Sequence, residues 1–333
     1  SNRALTRLGV VDATASTDAG AISLTNSADI YTKGRSSLAI NVQSIGGGGG
    51  TIASSSGSLV LGALRFAGSA DGGSITFTNT GTTLTQGDFA SALFLQSVGG
   101  GGGNVGGSDD AGLASLGARN SEGGNSSRVA DSKAAIGLGG SALQQADGGT
   151  ISLTNSTQLS SSGIDSAAAV VQSIGGGGGM VARVSGVGIS LGGDHLNQAS
   201  GGALTVLNKA AITSMGTNSP LLVAQSIGGG GGFTATTAGV TAASEALVLG
   251  SRNSSDVTGG SITLTNSGTL QSAGTASDAL IAQSIGGRGG LVGRVGEGQR
   301  VFTVSLGGSQ LSNGDAGSVN LTNRGEQLYT EGD

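Results

Sequence analysis

Five times in this chain the same lead-in runs into a glycine string of fixed length. Gln43-Ser44-Ile45 precedes Gly46 to Gly50, Gln96-Ser97-Val98 precedes Gly99 to Gly103, and Gln172-Ser173-Ile174 precedes Gly175 to Gly179. Gln225-Ser226-Ile227 precedes Gly228 to Gly232, and Gln283-Ser284-Ile285 precedes Gly286-Gly287-Arg288-Gly289-Gly290. A catalytic loop is needed once, whereas an architectural device is needed once per unit. The chain is therefore a tandem repeat, and its period must set the fold before any site is considered.

Upstream of each glycine run, and once more near the end, an alternating segment closes on Asn. Ile22-Ser23-Leu24-Thr25-Asn26 and Ile75-Thr76-Phe77-Thr78-Asn79 show the pattern, which returns to end at Asn155, Asn208, Asn266 and Asn323. The interval from Asn to the following Gln is constant at 17, from 26 to 43, 79 to 96, 155 to 172, 208 to 225 and 266 to 283. From Gln to the next Asn it varies, as 36, 59, 36, 41 and 40. A third marker, Leu-Gly at 61–62, 138–139, 191–192, 249–250 and 306–307, keeps an interval of 16 or 17 to the next Asn. Length variation therefore falls just after the glycine run. The longest excess, 104–133, is polar and turn-prone and reads as a surface-loop insertion.

Apolar and β-favouring residues alternating with period 2 predict strands with one buried face. Gly, Asn and Ser corners separate these short runs, and no helical stripe of useful length intervenes. Inward positions are Ile, Leu, Val and Ala, and aromatics are 2% of residues, which suits a narrow, layered core. The expected fold is all-β: a β-solenoid, a right-handed parallel β-helix carrying ordered polyglycine segments. One repeat domain spans 1–333, with units at about 1–73, 74–149, 150–202, 203–260 and 261–317 and a partial unit at 318–333. Taking roughly 18–25 residues per coil, each unit would hold two or three coils. At about 4.8 Å per coil the rod would be roughly 60–90 Å long.

Structural roles are assigned to three rows of residues. Asn26, Asn79, Asn155, Asn208, Asn266 and Asn323 are expected at corners, tolerating the left-handed region and stacking their amides on the next copy. Gln43, Gln96, Gln172, Gln225 and Gln283 mark the end of the invariant stretch. Glycine is 68 of 333 residues, far above the usual share of about 7%, yet a flexible linker would not hold its run length. The runs are read as ordered, extended backbone lying against another extended segment. Arg288 stands at the third place of its run, held by Gly48, Gly101, Gly177 and Gly230 in the other copies. That place is expected to face solvent in the Arg288 copy, a reading favoured over a partner contact, and the middle position of a run is taken to point outward. Gly177→Ala should then be milder than Gly176→Ala.

Chemistry-bearing residues are sparse. His195 is the only histidine and sits beside Asp194 in a glycine-rich turn; a surface turn residue is the favoured reading over a catalytic base. Asp109-Asp110 and the recurrent Asp71, Asp147 and Asp315 could touch a cation, but the calcium-binding nonapeptide pattern is absent from every copy. The glycine runs lack the Lys and Ser or Thr of a phosphate loop. No catalytic, cofactor-binding or metal residue is assigned, no cofactor is implied, and the chain is read as non-enzymatic. Net charge is −5 with no basic stripe, which disfavours nucleic acid. No apolar run approaches the ~20 residues of a membrane span. Ser1 opens on polar residues without a leader pattern, and cysteine is absent. The chain stops partway into a further unit, at Asp333. A segment of a longer polypeptide, or a subunit continued end to end by copies of itself, is expected.

The string Gly259-Gly260-Ser261-Ile262-Thr263-Leu264-Thr265-Asn266-Ser267-Gly268, followed by Ala282-Gln283-Ser284-Ile285-Gly286-Gly287, resembles the repeats of large bacterial autotransporter passengers. The resemblance covers nearly the whole chain outside 104–133. It implies a β-helical, exported passenger at the bacterial outer-membrane surface or beyond it, acting as an adhesin or biofilm component. The expected partners are neighbouring cells, host material or the protein itself. Alternatives are a self-assembling extracellular filament subunit and a carbohydrate-active β-helix enzyme. The enzyme would need converging carboxylates and aromatic platforms, and Trp is absent. Ice or crystal-surface binding would need Thr rows such as Thr263 and Thr265, and Ser23, Ser152 and Asn320 interrupt them.

Overall fold

The computed structural model of the chain describes residues 5–8, 15–52, 58–62, 68–106, 135–139, 144–185, 188–193, 196–238, 246–250, 254–287, 289–295, 303–306, 314–325 and 327–330. Its strands form five sheets, and every strand pair in them is parallel. The chain is an all-β solenoid.

Each sheet is built from one kind of segment, taken once per unit. The strands Ile22–Asn26, Ile75–Asn79, Ile151–Asn155, Leu204–Asn208, Ile262–Asn266 and Val319–Asn323 lie side by side in sequence order as the Asn sheet. The three-residue strands from Ile30–Thr32 to Leu328–Thr330 form a short sheet beside it. Ile40–Ile45, Leu93–Val98, Ala169–Ile174, Leu222–Ile227 and Leu280–Ile285 form the Gln sheet. The second half of each glycine run opens a glycine sheet: Gly49–Ile52, Gly102–Val105, Gly178–Ser185, Gly231–Ala238 and Gly289–Val295. The fifth sheet contains the Leu of the Leu-Gly marker, from Leu5–Leu8 and Ser58–Leu61 to Thr303–Leu306.

Pairing is like with like. Ile75 lies between Ile22 and Ile151, and Gln43 lies beside Gln96. One coil is therefore one whole unit, which corrects the expectation of two or three coils per unit. Five different segments go once around before any stacks on its counterpart. At about 4.8 Å between neighbouring strands, the six strands of the Asn sheet span about 24 Å along the axis, not the longer rod expected.

Among the described residues, two of the apolar columns that the wide coil encloses share the Gln sheet as a wall. On one side Leu93, Leu95, Ala169 and Val171 pack against Ile75, Phe77, Ile151 and Leu153 of the Asn sheet and Leu159 of the short sheet. On the other, Phe94, Val170 and Val223 meet Met180 and Phe233 of the glycine sheet, with Phe89 from a corner. A strand buried on both faces needs a continuous apolar run rather than alternation. Leu93-Phe94-Leu95 and Ala169-Val170-Val171, all at 0% exposure, have that character. The Asn sheet has only one covered face, so Ile75 and Phe77 are buried while Thr76 is exposed.

The expected insertion 104–133 requires adjustment at its start. Asn104 and Val105 belong to the glycine sheet, paired with Thr51 and Ile52 on one side and Met180 and Val181 on the other. Residues 107–134 lie outside the described residues.

Candidate functional site

The repeated polar residues gather into ladders along the axis. Asn26 donates its side-chain amide to Asn79 Oδ1 at 2.9 Å, Asn79 to Asn155 at 3.0 Å, and Asn155 to Asn208 at 2.7 Å. Asn208 then donates to Asn266 at 2.6 Å and Asn266 to Asn323 at 2.7 Å. The same amides also donate two residues onward in the chain, Asn155 to the Thr157 carbonyl and Asn266 to the Gly268 carbonyl, both at 2.7 Å. This satisfies both protons of a buried amide while turning the chain out of the strand. The stacking half of the expectation describes this geometry. The left-handed half does not, because these Asn residues close regular strands. Among the described residues, the non-glycine positions with positive φ, apart from Asp256, are instead Ser36, Phe89, Asp165, Asn218 and Ala276, between 52° and 57°. Each stands seven positions before its Gln, at the corner leading into the Gln sheet.

The glutamines form a second ladder. Gln43 donates to Gln96 Oε1 at 2.8 Å, Gln96 to Gln172 at 3.1 Å, Gln172 to Gln225 at 2.7 Å and Gln225 to Gln283 at 2.8 Å. Gln96, Gln172 and Gln225 are fully buried. At the acceptor end Thr51 Oγ donates to Gln43 Oε1 at 2.7 Å. A buried amide left without partners costs about 1–3 kcal/mol, so such rows persist only when every member is paired.

The serine after each Gln has a role that the sequence reading left unassigned. Ser173 Oγ donates to the Gly149 carbonyl of its own coil and accepts from the Gly202 N–H of the next, both at 2.8 Å. Ser44, Ser97, Ser226 and Ser284 repeat this clasp. A Cβ on Gly148 would stand 2.4 Å from Ser173 Oγ, and one on Gly149 would stand 2.4 Å from the backbone of Gly73. The recurrence of Gln-Ser as a pair was the available signal. The varied residues of the left-handed corner carried none except their constant offset.

Each glycine run divides in two. The second and third members turn the chain, as at Gly176 and Gly177 with φ of 83° and 85°. The fourth and fifth are strand residues with φ near +140°, in which a Cβ would lie along the stacking axis instead of across the sheet. On Gly178 it would stand 1.9 Å from the Gly231 carbonyl oxygen of the next coil, and on Gly179 equally close to the Gly103 oxygen of the previous one. The third glycine does not face solvent, as had been expected: Gly101, Gly177 and Gly230 are buried and Gly48 is partly so. Arg288 lies outside the described residues.

The aspartates preceding the alternating segment stack as well. Asp18 Oδ1 accepts from the Asp71 N–H at 2.9 Å, Asp71 Oδ1 from the Asp147 N–H at 2.8 Å, and Asp147 Oδ1 from the Ser200 N–H at 2.6 Å. Burial raises the Asp71 pKa above its ordinary value, and the neighbouring Asp147 and Asp18 carboxylates raise it further, against the lowering effect of its hydrogen bond from Asp147. Asp315 contributes its carbonyl, which accepts from Gly259. Among the described residues no group of three or more His, Cys, Asp or Glu could hold a metal ion. His195, Asp194, Asp109 and Asp110 lie outside those residues.

The outward surface of the Asn sheet is a hydroxyl lattice. One row reads Thr25, Thr78, Thr154, Leu207, Thr265 and Thr322; the other reads Ser23, Thr76, Ser152, Thr205, Thr263 and Asn320. Among the described residues no helix is long and apolar enough to cross a membrane. The chain matches no protein-family model and no curated protein.

Proposed function

We propose that this chain is a non-enzymatic scaffold segment of an extended, exported bacterial surface protein, mediating adhesion, aggregation or biofilm contact through its lateral faces. The observation that carries this reading is the like-with-like register of every sheet, as in Gln172 beside Gln225 and Asn155 beside Asn208. The buried amides and the serine clasps bind one coil to the next. A molecule held together by nearest-neighbour contacts can be lengthened coil by coil without a new core, as suits a protein that must reach away from a surface. The resemblance to autotransporter passenger repeats supports the same reading and supplies its bacterial location. The outward hydroxyl rows offer a repeated, uncharged surface, on which weak contacts add by multivalency.

The test is to display the chain on a non-adherent bacterium through a heterologous outer-membrane anchor. Settling of the cells and biofilm retained on an abiotic surface should both rise above those of the anchor alone. Unchanged settling and retention, with display verified by antibody, would refute the adhesive reading.

A further inference from the structure

We propose that Asp18, Asp71 and Asp147 form an acid-tightened seam, which binds the first three coils more firmly when a proton enters the row. The geometry is a column of three carboxylates, one per coil, spaced by the strand separation of about 4.8 Å. Each accepts the backbone N–H of the next coil's residue in the column. These hydrogen bonds hold the like charges in register and prevent them from moving apart. The charges acting on Asp71 are Asp147 and Asp18. The facing glycine turns, Gly46 to Gly48 and Gly99 to Gly101, carry none. Ser69 and Gln145, which donate to Asp18 Oδ2 and Asp147 Oδ2, are neutral.

The column is joined directly to the glycine turns. The carbonyl of Ala70 accepts from Gly100 N–H and that of Ala146 from Gly176 N–H, each at 2.7 Å. Loosening the carboxylate column therefore loosens the segment that clamps the glycine turns. The next coils have Ser200 and Thr258 at the aligned positions, joined by a hydroxyl hydrogen bond at 3.0 Å. The device is thus confined to one part of the stack.

The direction of the effect follows from linkage. The folded form holds the Asp71 proton more tightly than the unfolded chain, whose carboxyl titrates near 3.8. Between that value and the raised folded one, the folded state binds more protons. Stability therefore increases as pH falls through this window and decreases as pH rises through it. This is opposite to the usual salt-bridged carboxylate.

The experiment combines a carbon-detected carboxyl NMR titration of the intact chain with thermal unfolding at about pH 7.5 and about pH 4, close to the unfolded value. Asp71→Asn assigns the resonance and imitates the neutral form, and Asp278→Asn, an exposed site, controls for net charge. The wild type should melt a few degrees higher at the lower pH. Asp71→Asn should melt higher than wild type at the upper pH and lose most of the pH response, while Asp278→Asn should keep it. A carboxyl titrating at or below 3.8 would overturn the proposal. So would an Asp71→Asn protein with the wild-type pH response. If that variant does not fold, the Asp71 carboxyl is assigned in the wild type by through-bond correlation to its own backbone, and a midpoint at or below 3.8 overturns the proposal.

Discussion

The side-chain amide of Gln172 donates to Gln225 Oε1 at 2.7 Å, joining two fully buried residues 53 positions apart. Replacing Gln172 by Leu keeps the volume but leaves Gln96 without its acceptor and Gln225 without its donor. The expected loss is about 2–5 kcal/mol, read from chemical denaturation. A Gln172→Leu protein as stable as the wild type would show that the ladder contributes nothing net.

Asn155 sits between Asn79, which donates to it, and Asn208, which accepts from it. Asp at this position can receive the first bond but, ionised, cannot make the second or reach the Thr157 carbonyl. The Asn155→Asp chain should be severely destabilised near neutrality and partly recover as the new carboxyl is protonated on acidification. Equal destabilisation from about pH 7.5 to about pH 4 in thermal melts would contradict this account.

Of Gly176, Gly177 and Gly178, Gly178 should be the least replaceable. Its Cβ would meet the Gly231 oxygen at 1.9 Å, whereas the Gly176 Cβ first meets the Leu196 side chain at 2.7 Å, which can move. Gly178→Ala should cost about 3 kcal/mol or more. Gly176→Ala and Gly177→Ala, both strained by φ near 84°, should cost less. Melting temperatures of the three variants give the order directly.

The left-handed corner predicts substitutions of opposite sign. Ala276 is exposed at φ 53°, a conformation that costs a side chain about 1–2 kcal/mol. Glycine would relieve it at an entropic cost of about 0.4–1 kcal/mol, for a small net gain. Phe89 shares the conformation at φ 57° but is 3% exposed in the second apolar column. Phe89→Gly should therefore lose about 3 kcal/mol or more. Differential scanning calorimetry should move the two midpoints apart, and movement in the same direction would refute the argument.

The strands were legible because Ile-Thr-Phe-Thr and Leu-Phe-Leu have the patterns required by one-sided and two-sided burial. The coil size was not. A unit of five short strands reads equally well as two narrow coils, unless the pairing of Gln43 with Gln96 is taken as the stacking rule. Identical polar residues at one interval were the signal, since a buried amide finds its best partner in a copy of itself. The left-handed corner stayed hidden because its fold-level demand falls on backbone, met by residues as different as Phe89 and Asp165. The role of Ser173 was missed because its partners, Gly149 and Gly202, offer only backbone.

Both amide rows run one way. Each Gln and Asn except the last in its row gives a proton to the copy that follows, and none gives one to the copy before. The stack therefore has a sense, like the pile of an arrow's flights. A unit can be duplicated or deleted whole and the remaining rows close again, but an inverted unit would set donor against donor. Lengthening or shortening by whole units, head to tail, is therefore the change that the interior hydrogen bonds accept without a mismatch.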